Sequence, residues 1–269
     1  MAGGKPRQTA DWLAGFHAVE AALRHDGERV QEVIFELGRQ DKRAQQLREL
    51  AAEVGVAYRD APATYFAERV RADRELGRHQ GVLAKYLPAP AGDEHDLLAL
   101  LDGLREPAFL LVLDGVTDPH NLGACLRSAE AAGVHAVIVP RDRAVGLTPT
   151  VRKAASGAAE RLPFIQVTNL ARTLAALKER FIWIVGAAGG GMVSLYESDF
   201  ATESVALVMG SEGEGMRRLT QEHCDQLIYI PMAAPVESLN VSVAAAVCLF
   251  EFRRRRDAPG VLSEQPRVR

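Results

Sequence analysis

From residue 109 onward the chain alternates short, unbroken apolar runs with stretches of helical spacing, and few folds accommodate that pattern. FLLVLD (109–114) and HAVIVP (135–140) are apolar at nearly every consecutive position, as strands are when both faces of their sheet are covered. Similar runs at 162–167, 181–186, 204–209 and 226–230 read as strands, and 149–158, 169–180, 216–224 and 240–254 read as helices. Strands joined by helical crossovers pair in parallel, so this half predicts an α/β fold, a parallel sheet with helices on both faces. Ligands of such sheets sit beyond the carboxyl ends of the strands.

The first 90 residues alternate less regularly. HAVEAALRH has helical spacing, VQEVIFEL reads as a strand, Asp41–Val54 as a helix, and VAYR and VLAKYL as strands, which predicts a small α/β domain. LPAPAGDEHD then breaks the periodicity with proline, glycine and acid. The predicted organisation is a first domain at 9–87, a linker at 88–106 with a short helix over Asp96–Leu104, a second domain at 107–256, and a polar tail at 257–269. The arginines from Arg253 read as part of a solvated end.

Charge sets a constraint on partners. The net charge of −3 gives no global signature of nucleic-acid binding. Residues 1–90 hold 14 basic against 13 acidic side chains, 91–106 hold 1 against 5, and 107–269 hold 17 against 17. Any nucleic-acid contact therefore requires local patches, for which Arg39, Lys42 and Arg43, then Arg141, Arg143, Arg152 and Lys153, are candidates; each alone reads as a solvated surface charge. Cys125, Cys224 and Cys248 are scattered and the seven histidines lack ligand spacing, so neither a disulfide frame nor a metal site is expected. With no apolar leader in MAGGKPRQTADW, the expectation is a cytoplasmic protein without a membrane span.

Three constellations fall at predicted strand ends. In Asp114-Gly115-Val116-Thr117-Asp118-Pro119-His120-Asn121-Leu122-Gly123-Ala124-Cys125-Leu126-Arg127 a strand gives way to a turn and a helix. Periodicity makes Asn121 a helix N-cap and Arg127 an exposed helix arginine, with Gly123 and Ala124 leaving room for its guanidinium to reach a ligand. The second, Gly210-Ser211-Glu212-Gly213-Glu214-Gly215, is a glycine loop that reads as a tight turn or a ligand cradle. It lacks the Lys-Ser/Thr of a phosphate cradle, and Glu212 and Glu214 would repel a polyphosphate, so a phosphate-free or cationic ligand suits it better. The third runs Ile230-Pro231-Met232 through Ser238-Leu239-Asn240, with Asn240 capping an apolar final helix. GAAGGG at 186–191 reads as a loop that lines a pocket or is simply flexible.

In this order, N-x-G-x-x-x-R, G-S-E-G-x-G and I-P-M…S-L-N-V-S-V-A resemble the SpoU/TrmH branch of the SPOUT RNA methyltransferases, over Asp114 to about Leu249. GFHAVEAAL and HQG in the first domain resemble the RNA-binding domain of bacterial members, most of all the RlmB-type branch that methylates guanosine in 23S ribosomal RNA. The resemblance implies a trefoil knot in the second domain, a homodimer, S-adenosyl-L-methionine as cofactor, and 23S ribosomal RNA or a large-subunit precursor as partner. It implies that Gly210, Ile230 and Leu239 hold the cofactor, and that Asn121, Arg127, Glu212, Ser238 and Asn240 surround the reacting ribose. Arg127, too basic to take a proton, would grip the target phosphate and stabilise the developing alkoxide. Transfer RNA as substrate, a non-catalytic RNA-binding role and a nucleotide-phosphate enzyme are the competing readings. Against them stand the N-terminal domain, the intact Asn121, Arg127 and Ser238-Leu239-Asn240 set, and the two loop glutamates. Ala234-Pro235 and Glu237 depart from the glycine usual in this branch's third motif.

Overall fold

The computed structural model describes residues 10–87, 90–233 and 238–257; Ala234, Pro235, Glu237 and the tail from 258 lie outside the described residues. Packing divides the chain into two compact units. One comprises residues up to Pro90 together with Leu147–Arg161, and the other comprises Ala91–Gly146 and the residues from Leu162 onward. Residues 147–161, read from sequence as part of the second domain, thus pack with the first unit.

The first unit runs β1 (Asp11–Ala14), α1 (Phe16–Asp26), β2 (Val30–Glu36), α2 (Lys42–Glu53), β3 (Tyr58–Ala61), α3 (Ala63–Ala72) and β4 (Val82–Tyr86). Its sheet has the order β1-β4-β2-β3, with β2 and β3 parallel and the other pairs antiparallel. Phe16, Val19 and Leu23 of α1 and Ala44 and Leu47 of α2 form one core with Val33, Phe35, Val82 and Ala84 of the sheet.

The second unit opens with α4 (Glu94–Gly103) inside the predicted linker; Asp93 and Asp96 form a reciprocal capping box and Leu97 is buried. Then follow β5 (Phe109–Asp114), α5 (Pro119–Ala131) and β6 (Ala136–Pro140). Next, in the first unit, come α6 (Pro149–Ala155) and α7 (Ala158–Arg161). The second unit resumes with β7 (Phe164–Val167), α8 (Leu170–Glu179), β8 (Trp183–Ala187), β9 (Val193–Ser194), β10 (Val205–Gly210), α9 (Arg218–His223), β11 (Gln226–Tyr229) and α10 (Val241–Arg256). Its seven-stranded sheet has the order β7-β6-β5-β10-β8-β11-β9 and every pairing is parallel. The unbroken apolar runs have their cause here, since all six residues of β5 are buried. Leu97 of α4 and Leu170, Leu174 and Leu177 of α8 pack with Leu110, Val112 and Val208 in one core cluster. α10 packs on α5 and β10, and Phe252 stacks on Phe109 with ring centroids 6.3 Å apart.

Two expectations about basic residues are corrected. Arg152 is 3% exposed and paired with Glu160 at 2.9 Å, so it is a buried structural ion pair of the first unit, not an RNA contact. Arg253–Arg256 belong to α10 rather than to a solvated end. Arg254 and Arg255 bond Glu251, Arg255 also donates to the Ser198 carbonyl at 2.6 Å, and Arg256 donates to the Ala201 carbonyl at 2.9 Å. Carbonyls that close no ladder need such donors, and a guanidinium supplies several at once.

Candidate active site

The motif loops meet because β5 and β10 are neighbours in register, with Gly210 opposite Asp114. Asp114 ends β5 with a carboxylate that is 1% exposed. It accepts from the Arg217 backbone N–H at 2.9 Å and from Arg217 Nε at 2.6 Å. A buried carboxylate requires such partners. These bonds tie the far end of the glycine loop to the strand beside its start.

The loop between those ends is closed on itself. Ser211 and Gly215 exchange backbone hydrogen bonds at 3.1 and 3.0 Å. Gly213 and Gly215 take φ of 85° and 69°, in the left-handed region that glycine tolerates. Gly210 answers a different need, because a Cβ there would lie 2.1 Å from both Gly215 C and Met216 N.

Glu212 reaches from this loop into a polar centre shared by all three motifs. Asn121 Nδ2 donates to Glu212 Oε1 at 2.6 Å, and Asn240 Nδ2 donates to the same oxygen at 2.5 Å and to Asn121 Oδ1 at 3.1 Å. The Asn240 amide has one orientation available. Its Oδ1 caps α10 by accepting from the Ser242 backbone N–H at 2.9 Å, which turns Nδ2 toward the other two residues. Asn121 is not the N-cap predicted from spacing. Asp118 caps α5, accepting from the His120 N–H at 2.8 Å, and Asn121, one turn in, is free for the centre.

A cavity of about 550 Å³ opens beside this centre. Gly210, Ile230, Leu239, Glu212, Ser238 and Asn240 all line it, together with Ala187-Ala188-Gly189 at the end of β8. The GAAGGG segment therefore contributes to the pocket wall. None of the described lining residues is lysine or arginine, so a polyphosphate would find no cation, whereas Glu212 is matched to a positive centre. The volume, the apolar Ile230, Met232 and Leu239, and that carboxylate fit S-adenosylmethionine. Arg127 stands apart. It is exposed on α5, lines no part of this pocket and has no hydrogen bond among the described residues. Among the described residues no cluster of potential metal ligands occurs. The pairing of Asp114 with Arg217, 103 positions away, is the site feature that sequence reasoning misses, since no local spacing announces it.

Residues 108–250 match the SpoU rRNA Methylase family, and residues 12–90 match the family described as RNA 2′-O ribose methyltransferase substrate binding. The 23S rRNA (guanosine-2′-O-)-methyltransferase RlmB of Ralstonia nicotianae is 56% identical over 244 residues, covering 91% of this chain and 95% of its own. The enzyme of the same name from Escherichia coli is 54% identical over 247 residues, covering 92% and 99%. The SpoU methyltransferase AviRb from Streptomyces viridochromogenes, solved with the cofactor AdoMet, superposes with a TM-score of 0.75 at 25% identity, covering 94% of each chain. The family resemblance read from three short motifs thus extends over nearly the whole chain, which belongs to the SpoU rRNA methylase family.

Proposed function

We propose that this chain transfers the methyl group of S-adenosylmethionine to the ribose 2′-hydroxyl of a guanosine in 23S ribosomal RNA. The observation that carries the reading is the Asn121–Glu212–Asn240 network beside a cavity with no lysine or arginine among its described lining residues, in a chain 56% identical to an enzyme named for that reaction. Bound there, S-adenosylmethionine supplies an electrophilic methyl on a sulfonium. Gly210, Ile230 and Leu239 are the residues we assign to holding it.

The chain's own contribution is positioning. Both amides donate to Oε1 of Glu212, and Oε2 has no hydrogen bond among the described residues. Oε2 is the free acceptor that orients the 2′-hydroxyl and holds its proton, while Ser238 offers a hydroxyl at the same rim. We assign Arg127, whose guanidinium has only donors to offer, to the target phosphate and the developing alkoxide. From its exposed place on α5 it engages RNA outside the cofactor pocket.

The first unit is assigned to substrate binding and the second to transfer, in keeping with the two family matches. A homodimer is part of the proposal, supported by Val243 and Phe250, each 49% exposed and two helical turns apart on α10. The trefoil knot is proposed on family membership. No described helix is long and apolar enough to cross a membrane. A cytoplasmic location is supported by three free cysteines, the state expected in a reducing compartment.

The test is calorimetric binding of S-adenosylmethionine followed by labelled transfer to unmodified 23S rRNA and to transfer RNA in separate reactions. Transfer to 23S rRNA alone is expected; transfer to transfer RNA alone moves the chain to that substrate class, and cofactor binding without transfer removes the catalytic claim.

A further inference from the structure

The sheet of the first unit is covered unequally. One face is closed by α1 and α2. On the other, α3 and the segment after it close over Ile34, Ala61 and Leu83 with Phe66 and Leu76. Side chains two apart share a face, so Trp12, Lys85 and Glu32 lie on this second face in a single cross-strand row, Trp12 opposite Lys85 and Lys85 opposite Glu32. All three are only partly buried. Glu32 is committed to Arg59 of β3 at 2.7 Å. From α3, Tyr65 meets Trp12 edge-on at 6.4 Å, and the Arg69 guanidinium lies 4.7 Å from the Trp12 ring centroid and 5.0 Å from that of Tyr65. Arg59 lies 4.9 Å from Tyr65.

Two half-buried rings, with guanidinium planes over them, therefore stand among three cations, Arg59, Arg69 and Lys85, with one carboxylate hydrogen-bonded inside the patch. Ring faces and guanidinium planes are the groups on which unpaired bases stack, and cations beside them meet the connecting phosphates. A duplex would offer the phosphates but hide the base faces, and an acidic peptide would use the cations but not the rings. We infer that this patch is the platform on which the first unit holds a single-stranded stretch of its RNA substrate. The inference rests on the RNA methyltransferase reading and locates a surface for it. It also resolves the charge problem, because a chain of net charge −3 then needs only this local concentration of cations around stacking rings.

The full-length Trp183→Phe variant leaves Trp12 as the only tryptophan of the two in the chain. Its fluorescence is expected to quench on titration with unpaired oligoribonucleotide, and not with duplex RNA or polyglutamate at equal charge. Tyr65→Ala should weaken RNA binding roughly 5- to 150-fold, the range for losing one stacked base. Arg69→Gln, which leaves both rings in place, should lower the salt slope of binding by about 0.7. Both should raise KM for RNA, with cofactor affinity and kcat retained, and Tyr65→Phe, which keeps the ring but loses the hydroxyl that accepts from Arg69 at 3.4 Å, should recover most of the affinity lost in Tyr65→Ala. Unchanged RNA KM and salt slope in both variants, with methyl transfer intact, overturn the platform and leave the methyltransferase reading standing. Quenching by polyglutamate overturns it in favour of an acidic protein partner. Failure of the unaltered chain to methylate any RNA refutes the methyltransferase reading itself, and with it the platform.

Discussion

Asn240 performs two tasks with the two ends of one amide, and a single substitution separates them. In Asn240→Asp the oxygen that accepts from the Ser242 N–H at 2.9 Å is preserved, and aspartate caps helices as well as asparagine does. The other end changes from a donor held 2.5 Å from Glu212 Oε1 to a second carboxylate oxygen. The lost charge-assisted hydrogen bond is worth about 1.5–3 kcal/mol. Two like charges about 4 Å apart add about 1 kcal/mol of repulsion in bulk water and about 4 kcal/mol at an effective dielectric of about 20. Both side chains are exposed, so the lower figure governs. The sum is at least about 2.5 kcal/mol, or roughly 70-fold in kcat/KM. Asn240→Ala loses the donor without gaining the repulsion, but it also loses the cap, about 1 kcal/mol of stability. Activity should therefore fall in the order wild type, Asn240→Ala, Asn240→Asp, while the two variants lose comparable stability, Asn240→Ala through the bond and the cap and Asn240→Asp through the bond and the repulsion. Steady-state methyl transfer and thermal unfolding on the same preparations measure both. Like charges raise a carboxyl pKa, so the activity of Asn240→Asp should partly recover as pH is lowered and the pair takes up one proton. If Asn240→Asp is as active as Asn240→Ala or more so, the Glu212-centred network does not act in catalysis.

Other consequences are as direct. Gly210→Ala places a methyl 2.1 Å from backbone atoms that have no room to yield, so S-adenosylmethionine binding should be lost by calorimetry, with about 1–3 kcal/mol of destabilisation. Asp114→Asn removes the charge that holds Arg217, and should cost about 1–2 kcal/mol in denaturant unfolding and weaken cofactor binding. Arg127→Lys keeps the charge but not the planar fork; a drop in kcat with cofactor affinity unchanged is expected, and near-normal transfer rates would rule the fork out. Hydrogen bonds from Arg254 hold the Glu251 carboxyl down to about 2, with Arg255 adding to the effect. A depressed folded pKa stabilises above the unfolded value and loses that contribution as pH falls from about 4.5 toward 2. Glu251→Gln should accordingly lower Tm at neutral pH and flatten its fall across that window in scanning calorimetry.

What the sequence made legible follows the range of the interactions. β5 is readable because burial on both faces forces six consecutive buried residues, a purely local mark. The cap on α10 is readable for the same reason, since Asn240 and Ser242 are two positions apart. Asn121 misleads local reading because its partner, Glu212, lies 91 positions away, and Asp118, three residues earlier, already serves as the cap. Arg152 looks like any surface arginine until α6 and α7 bury it against Glu160. α3 escapes because only Phe66 of its ten residues is buried, so no apolar stripe forms. The arginine run at 253–256 resembles a solvated tail because its acceptors include carbonyls of residues 196, 198 and 201, far back in the chain. The motif order, by contrast, identifies the family from three short segments, which follow the carboxyl ends of the interior strands β5, β10 and β11.

The central claim is that the ribose 2′-oxygen of a guanosine is the atom methylated. Its most direct test is mass spectrometry of nuclease-digested 23S rRNA after a single turnover with isotopically labelled S-adenosylmethionine. The account predicts one labelled nucleoside, 2′-O-methylguanosine, absent when that guanosine is replaced by its 2′-deoxy analogue. Label on a base, or label that survives the deoxy replacement, would contradict it.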